Sequence, residues 1–251
     1  MTRHAALAAP ALVREVPVAI VCDGATLGVM MASPDALEDF AVGFALTEGL
    51  LRDPDDLREL EIVEHDAGIE ARLWLAPSAG ARVRDRQRAM VGPVGCGLCG
   101  IDSLSKVARD LPVLAPGARL RLDDLCALPD LLRAHQPEHD RTRACHAAGF
   151  WRPGAGLLAV REDVGRHNAL DKLAGALWRG GVDPSGGAVI LTSRVSTEMV
   201  QKAAMIGAPA LVAVSAATDF AVRIARGCDL TLVARARGGG GEVLSGAERL
   251  V

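Results

Sequence analysis

Two cysteines three residues apart, Cys96 and Cys99, stand in the run Gly95-Cys96-Gly97-Leu98-Cys99-Gly100. Glycine reaches backbone angles that other residues avoid and leaves a neighbouring sulfur unshielded. The run therefore reads as a tight, exposed loop that presents a reactive thiol. A free thiol titrates near 8.5, so only about 3% is thiolate at pH 7. A helix expected to start near Asp102, and the arginines before the loop, would raise that fraction. Three chemistries suit the pair. Half of a zinc site is one, but a closed zinc site takes four ligands. The chain has no second CxxC, and Cys145-His146 is its only other adjacent pair. A thioredoxin-like redox pair is another, yet that motif follows a first strand, and here nearly a hundred residues come first. The third is a sulfur carrier: one thiolate accepts sulfur as a persulfide, and its neighbour resolves it or assists release. Cys22, Cys126, Cys145 and Cys228 lie in apolar surroundings and are expected in the core.

Three further groupings could bind an anion. Arg161-Glu162-Asp163-Val164-Gly165-Arg166-His167-Asn168 lies where a strand gives way to a helix, the edge at which open α/β sheets bind ligands. Arg166 and His167 would hold an anionic or heterocyclic ligand, with the acids orienting them; a plain helix cap beside a solvated Arg166 is the simpler alternative. Thr192-Ser193-Arg194 follows the next strand, and hydroxyls, an arginine and a helix N-terminus make a phosphate cradle; an ordinary cap fits equally. Arg235-Ala236-Arg237-Gly238-Gly239-Gly240 offers bare backbone N–H groups and two guanidiniums, although glycine runs are commonly flexible linkers.

Elements must bring these groups together. The 251 residues are 50% hydrophobic and 24% charged, an ordinary globular composition that can bury a core without disulfide or metal. The net charge of −3 argues against a bulk nucleic-acid binder. No apolar run approaches the ~20 residues of a membrane span, and the irregular cysteine spacing suits a reducing, cytoplasmic compartment. Residues 1–14 read as a loose arm. Residues 15–85 read as a small α+β unit: a hairpin through Asp23-Gly24, a helix capped at Ser33-Pro34-Asp35 and ending at Gly49, and a second hairpin through Asp66-Ala67-Gly68. Arg82, Arg84, Arg86 and Arg88 alternate and would line one face of an extended segment. From 86 to 251 the pattern becomes α/β. Helices are expected at 102–110, 122–134, 165–179, 196–206 and 218–226, and strands at 143–150, 156–161, 188–191, 210–215 and 230–234. Strands without alternation, separated by helices, imply a sheet covered on both faces.

These stretches together resemble the FdhD/NarQ family of formate dehydrogenase accessory sulfurtransferases. The resemblance rests on the cysteine loop, on Arg161 to Lys172, on Arg194-Val195-Ser196 with Glu198 to Ala204, and on Leu37 to Phe44 with Glu48-Gly49. It implies a cytidine-deaminase-like three-layer α/β/α domain beside a smaller N-terminal α+β domain, and a homodimer. It implies that sulfur is taken from a cysteine desulfurase and passed to the molybdenum or tungsten bis(molybdopterin guanine dinucleotide) cofactor before its insertion into a formate dehydrogenase catalytic subunit. GDP would mimic part of that cofactor. Cys96 matches the persulfide-forming cysteine, Cys99 its partner, and Arg235 to Gly240 the cofactor-contacting stretch. The chain departs from the family pattern at Arg143, Ala144, Ser193, Arg235 and Gly240. It also lacks the H-x-E element of zinc deaminases, so no metal ligands are assigned.

Overall fold

Asp23 and Gly24 both have positive φ, 48° and 80°, the turn geometry whose twist matches paired antiparallel strands. They join β1 (Val16–Cys22) to β2 (Ala25–Ala32). A second hairpin joins β3 (Leu57–His65) to β4 (Gly68–Leu75). Parallel pairing of β1 with β4 completes a four-stranded sheet in the order β2-β1-β4-β3. Its inner face, including Val18, Ile20, Ala71 and Leu73, packs with α1 (Leu37–Thr47). The structure is a computed structural model that describes residues 11–89, 111–115, 117 and 119–251, with backbone only for 85–89. The cysteine loop and the helix expected at 102–110 lie outside the described residues.

Two local expectations are corrected. Helix α1 starts at Leu37, with Ala36 at the N-cap in a left-handed conformation (φ 48°). Ser33 does not cap it. Its N–H donates to Asp163 Oδ2 at 3.0 Å, and its hydroxyl accepts from Val164 N–H at 3.2 Å. The alternating arginines are not extended either: Gly80–Ala89 is a helix, α2. Arginine, alanine and glutamine favour helix. Arg82 is anchored to Asp56 at 2.5 Å and to the Leu50 carbonyl at 3.0 Å.

The larger sheet holds β5 (His146–Arg152), β6 (Gly156–Asp163), β7 (Ala188–Leu191), β8 (Ala210–Ala213), β9 (Thr231–Arg237) and β10 (Gly240–Ser245). Their order is β10-β9-β8-β7-β5-β6. Strands β7, β8 and β9 are mutually parallel. Strand β5 runs antiparallel to both β7 and β6, so β6 points the same way as β7. One face is covered by α5 (Arg166–Arg179), α6 (Thr197–Ile206) and α7 (Asp219–Gly227). The other is covered by α3 (Leu122–Arg133). The expected α/β architecture, with helices on both faces, is the one observed. The short helix α4 (Pro137–Thr142) and strand β10 were not read from the sequence; in β10 only Ser245 is buried, which leaves little hydrophobic signal.

Helices α1 and α5 bind the two sheets together. A Cβ on Gly43 would lie 1.7 Å from the Asp171 carbonyl oxygen, and one on Gly175 would lie 1.9 Å from that of Asp39. Two backbones this close leave room for hydrogen alone. The layers therefore run small sheet, α1, the α5–α6–α7 layer, large sheet and α3.

Candidate functional site at the carboxyl edge of the large sheet

Strands β6, β7 and β9 end at one edge, and the three sequence-predicted groups follow those ends. Arg166 and His167 open α5 after a two-residue link, Val164-Gly165, from β6. Ser193 and Arg194 lie between β7 and α6. Arg235 to Gly239 close β9, where Arg235 N–H donates to the Ser215 carbonyl just past β8. His146 sits among them at the start of β5. It pairs in register with Asp163 of β6, and its Nδ1 lies 3.5 Å from Thr192 Oγ1 beyond β7.

The motif 161–172 divides its labour in a way the sequence did not reveal. Arg161 binds Asp39 of α1 through Nε at 2.8 Å and Nη2 at 2.7 Å. Glu162 accepts the N–H groups of Glu138 and His139, both at 2.8 Å, and so caps α4. Asp163 is fully buried. It accepts from Gly165 N–H at 2.8 Å and Asn168 Nδ2 at 2.9 Å, and pairs with buried Lys172 at 2.8 Å. Lys172 also donates to the Ser33 carbonyl at 2.9 Å. Asp171 receives Lys202 Nζ on both oxygens, at 2.7 and 2.8 Å, and the Thr47 hydroxyl at 2.6 Å. Burial pushes the Asp171 carboxyl up, and Lys202 opposes that most. The acids expected to orient Arg166 and His167 thus serve the packing of α1, α4 and α5 instead.

Arg166 and His167 are left facing the edge. Arg166 Nε and His167 Nε2 are shielded from solvent yet have no hydrogen-bond partner. Burial, then the charges of Lys202 and Arg166, pull the His167 pKa down to about 3. His146 is lowered too, by burial first and by Arg166 second. Both imidazoles are neutral near pH 7.

The cradle at 192–194 is narrower than expected. The Thr192 hydroxyl is tied to the β5–β7 ladder, accepting from Ala147 N–H at 2.9 Å. Ser193 is buried and donates to the Arg194 carbonyl at 2.9 Å. Arg194 remains exposed. Ser196, missed in the sequence as a separate contact although it lies inside the quoted Arg194-Val195-Ser196, is the N-cap of α6. Its side chain makes no capping bond, and its buried Oγ has no partner. At the last group, Gly238 and Gly239 have φ of 56° and 79° and form a tight hairpin turn rather than a linker. Ala236 is buried against α3. Arg235 is exposed and pairs with Glu242 at 2.7 Å, and Arg237 is exposed at the turn.

Cys96 and Cys99 lie outside the described residues. The four described cysteines are all buried. Burial and Asp23 push the Cys22 thiol to about 12, and burial and Glu162 push Cys145 to about 11. These thiols are protonated and shielded, which suits packing. Among the described residues no three His, Cys, Asp or Glu side chains are placed to hold a metal, and no helix is long and apolar enough to cross a membrane.

A relative in Agrobacterium fabrum, named sulfur carrier protein FdhD, is 46% identical over 96% of this chain and 89% of its own length. Relatives of the same name in Bordetella petrii and Brucella abortus are 44% and 47% identical, covering 94% and 89% of this chain and 85% and 83% of theirs. A crystal structure of a candidate formate dehydrogenase accessory protein from Desulfotalea psychrophila superposes with a TM-score of 0.74 at 25% identity, over 96% of this chain and 90% of that one. The FdhD/NarQ family profile matches residues 13–251, and the chain belongs to that family.

Proposed function

We propose that this protein is a sulfurtransferase that carries sulfur as a persulfide on Cys96, assisted by Cys99. The donor is a cysteine desulfurase, and the acceptor is the molybdenum or tungsten bis(molybdopterin guanine dinucleotide) cofactor destined for a formate dehydrogenase catalytic subunit. The observation that carries the reading is identity of 42–47% to proteins named sulfur carrier protein FdhD, over most of the chain. The glycine-framed Cys96 and Cys99 supply the thiols such a carrier needs. In the loading step the Cys96 thiolate attacks the outer sulfur of the desulfurase persulfide. A new S–S bond forms at Cys96, and the desulfurase thiolate leaves.

The carboxyl edge supports the second half of the reading. Exposed Arg194, Arg235 and Arg237, with Arg166, give an anionic cargo several guanidiniums to meet. The Gly238-Gly239 turn bares backbone N–H groups beside two of them. This edge alone would also suit a cofactor-binding chaperone without sulfur chemistry, so the thiols discriminate. After incubation with a desulfurase and free cysteine, mass spectrometry should show a gain of about 32 Da per bound sulfur. Cys96→Ala should abolish that gain and the activation of the client dehydrogenase while GDP still binds. Full activation by Cys96→Ala would leave the chaperone reading standing.

A further inference from the structure

Strand β3 is one edge of the small sheet and β2 is the other. The two edges differ. Ala25–Ala32 carries no charged residue, whereas β3 splits its side chains between two faces. Leu60 and Ile62 pair in register with the core residues Leu73 and Ala71, on the inner side of the sheet. Glu59 and Glu61 pair with Trp74 and Arg72 on the outer side, and both glutamates are exposed. The inner side is not sealed. Leu57, Leu60 and Trp178 are only partly buried. Together with Val42 of α1 they line an open groove beside β3, with the Glu38–Arg179 ion pair on its wall.

Charge decides what fits there. From Asp53 to Asp66 seven acids stand against Arg58 alone, a local charge of −6 where the whole chain carries −3. Asp56 is spent on Arg82. Glu61 lies 3.5 Å from Arg72, which binds Glu70 more closely, at 2.6 Å. Among the described residues Glu59 and Glu64 have no cationic partner. A second copy of β3 would set glutamates opposite glutamates, which is unfavourable, and a nucleic acid would be repelled. Charges of this kind commonly shield an edge from pairing, but shielding alone calls for no apolar groove behind them.

We propose that the β3 edge and its groove are a docking site for an extended segment of a partner protein in which apolar and basic side chains alternate. Successive residues of a strand face opposite sides. A strand added beside β3 therefore lays one set of side chains over Leu57, Leu60 and Trp178 and the other beside Glu59 and Glu61. Main-chain hydrogen bonds supply affinity, and the alternation supplies specificity. The site is independent of the sulfur-carrier reading: peptide binding and persulfide loading of Cys96 are separate measurements, and either can fail with the other intact.

The probe is a blocked heptapeptide in which Lys and Val alternate, titrated into the full-length protein and followed by backbone NMR. Saturable amide shifts centred on Leu57–His65 and on the Trp178 indole are expected, and added salt should weaken binding. A peptide of the same composition with its Lys and Val in two blocks, and one alternating Lys with Ser, should each bind at least about 10-fold more weakly. Glu59→Lys, at an exposed position, should weaken the alternating peptide about 10-fold, while Arg235→Gln at the far sheet should bind it as wild type. Equal binding of the block peptide would reduce the effect to charge attraction and overturn the proposal. The absence of saturable shifts in β3 would overturn it too. Sedimentation that shows a dimer lost on Glu59→Lys would give the edge to a second copy, and so would also defeat it.

Discussion

His167 holds an imidazole whose charged form is disfavoured first by burial, then by Lys202 and Arg166, so that it titrates at about 3. In the unfolded chain an imidazole titrates near 6.5. Below that pH the unfolded state binds a proton that the native state refuses. The stability that neutral His167 contributes is complete above pH 6.5 and is lost as pH falls from 6.5 toward 3. His167→Gln should therefore lose less stability than wild type between pH 6.5 and 5, by roughly 1–2 kcal/mol. Urea unfolding at the two pH values reads this directly. Equal losses in both proteins would mean that His167 is accessible to protons in the native state.

Helix α5 does two jobs with opposite ends. Its first turn faces the carboxyl edge, and its middle presses glycine to glycine against α1. Gly175 accepts no side chain, since a Cβ there would sit 1.9 Å from the Asp39 carbonyl oxygen. Gly175→Ala should lower stability by roughly 3 kcal/mol or more, beyond the usual cost of overpacking, because the obstacle is backbone. Gly181→Ala, where a Cβ meets nothing within 4 Å but φ is 62°, should cost less, about 1 kcal/mol. A larger loss at Gly181 than at Gly175 would contradict the close crossing of α1 and α5.

Across the whole molecule, the two sheets are joined by buried charge as well as by packing. Asp163 at the end of β6 takes the Ser33 N–H from the segment after β2, and Lys172 takes the Ser33 carbonyl. Arg161 and Arg179 converge on the nearly buried Asp39 of α1. Asp163→Ala would take away the buried partner of the Lys172 ammonium and leave it the Ser33 carbonyl and the exposed Asp35 carboxylate at 3.4 Å, at a cost of about 3 kcal/mol. Lys172→Met with Asp163→Leu should recover only part of that loss: the stranded charge is gone, but the Ser33, Gly165 and Asn168 donors that Asp163 accepts stay unpaired. Thermal melts followed by two probes, Trp74 in the small sheet and Trp151 in the large one, should stay coincident in the wild type. Transitions that separate would show the sheets to be independent.

Much of this was legible in the sequence. The turn at Asp23-Gly24 needs positive φ, and few residues supply it. Strands β7 and β8 are unbroken apolar runs that suit only a strand buried on both faces. The burial of four cysteines followed from their neighbours. The groups that meet at the carboxyl edge could be named because strand ends in α/β sheets share that edge. Local signals failed where a distant partner offered more. Ser33 carries a good capping side chain, yet its bonds go to residues about 130 positions away. Alternation at Arg82 to Arg88 fits a strand's period but folds as a helix, anchored in part by the Arg82–Asp56 pair. The conspicuous acids of the 161–172 motif looked like site residues because charge in a sequence says nothing about burial. Only the tertiary structure, by setting α1 against α5, decided that Asp163, Asp171 and Lys172 hold the core while Arg166 Nε, His167 Nε2 and Ser196 Oγ are left without a partner.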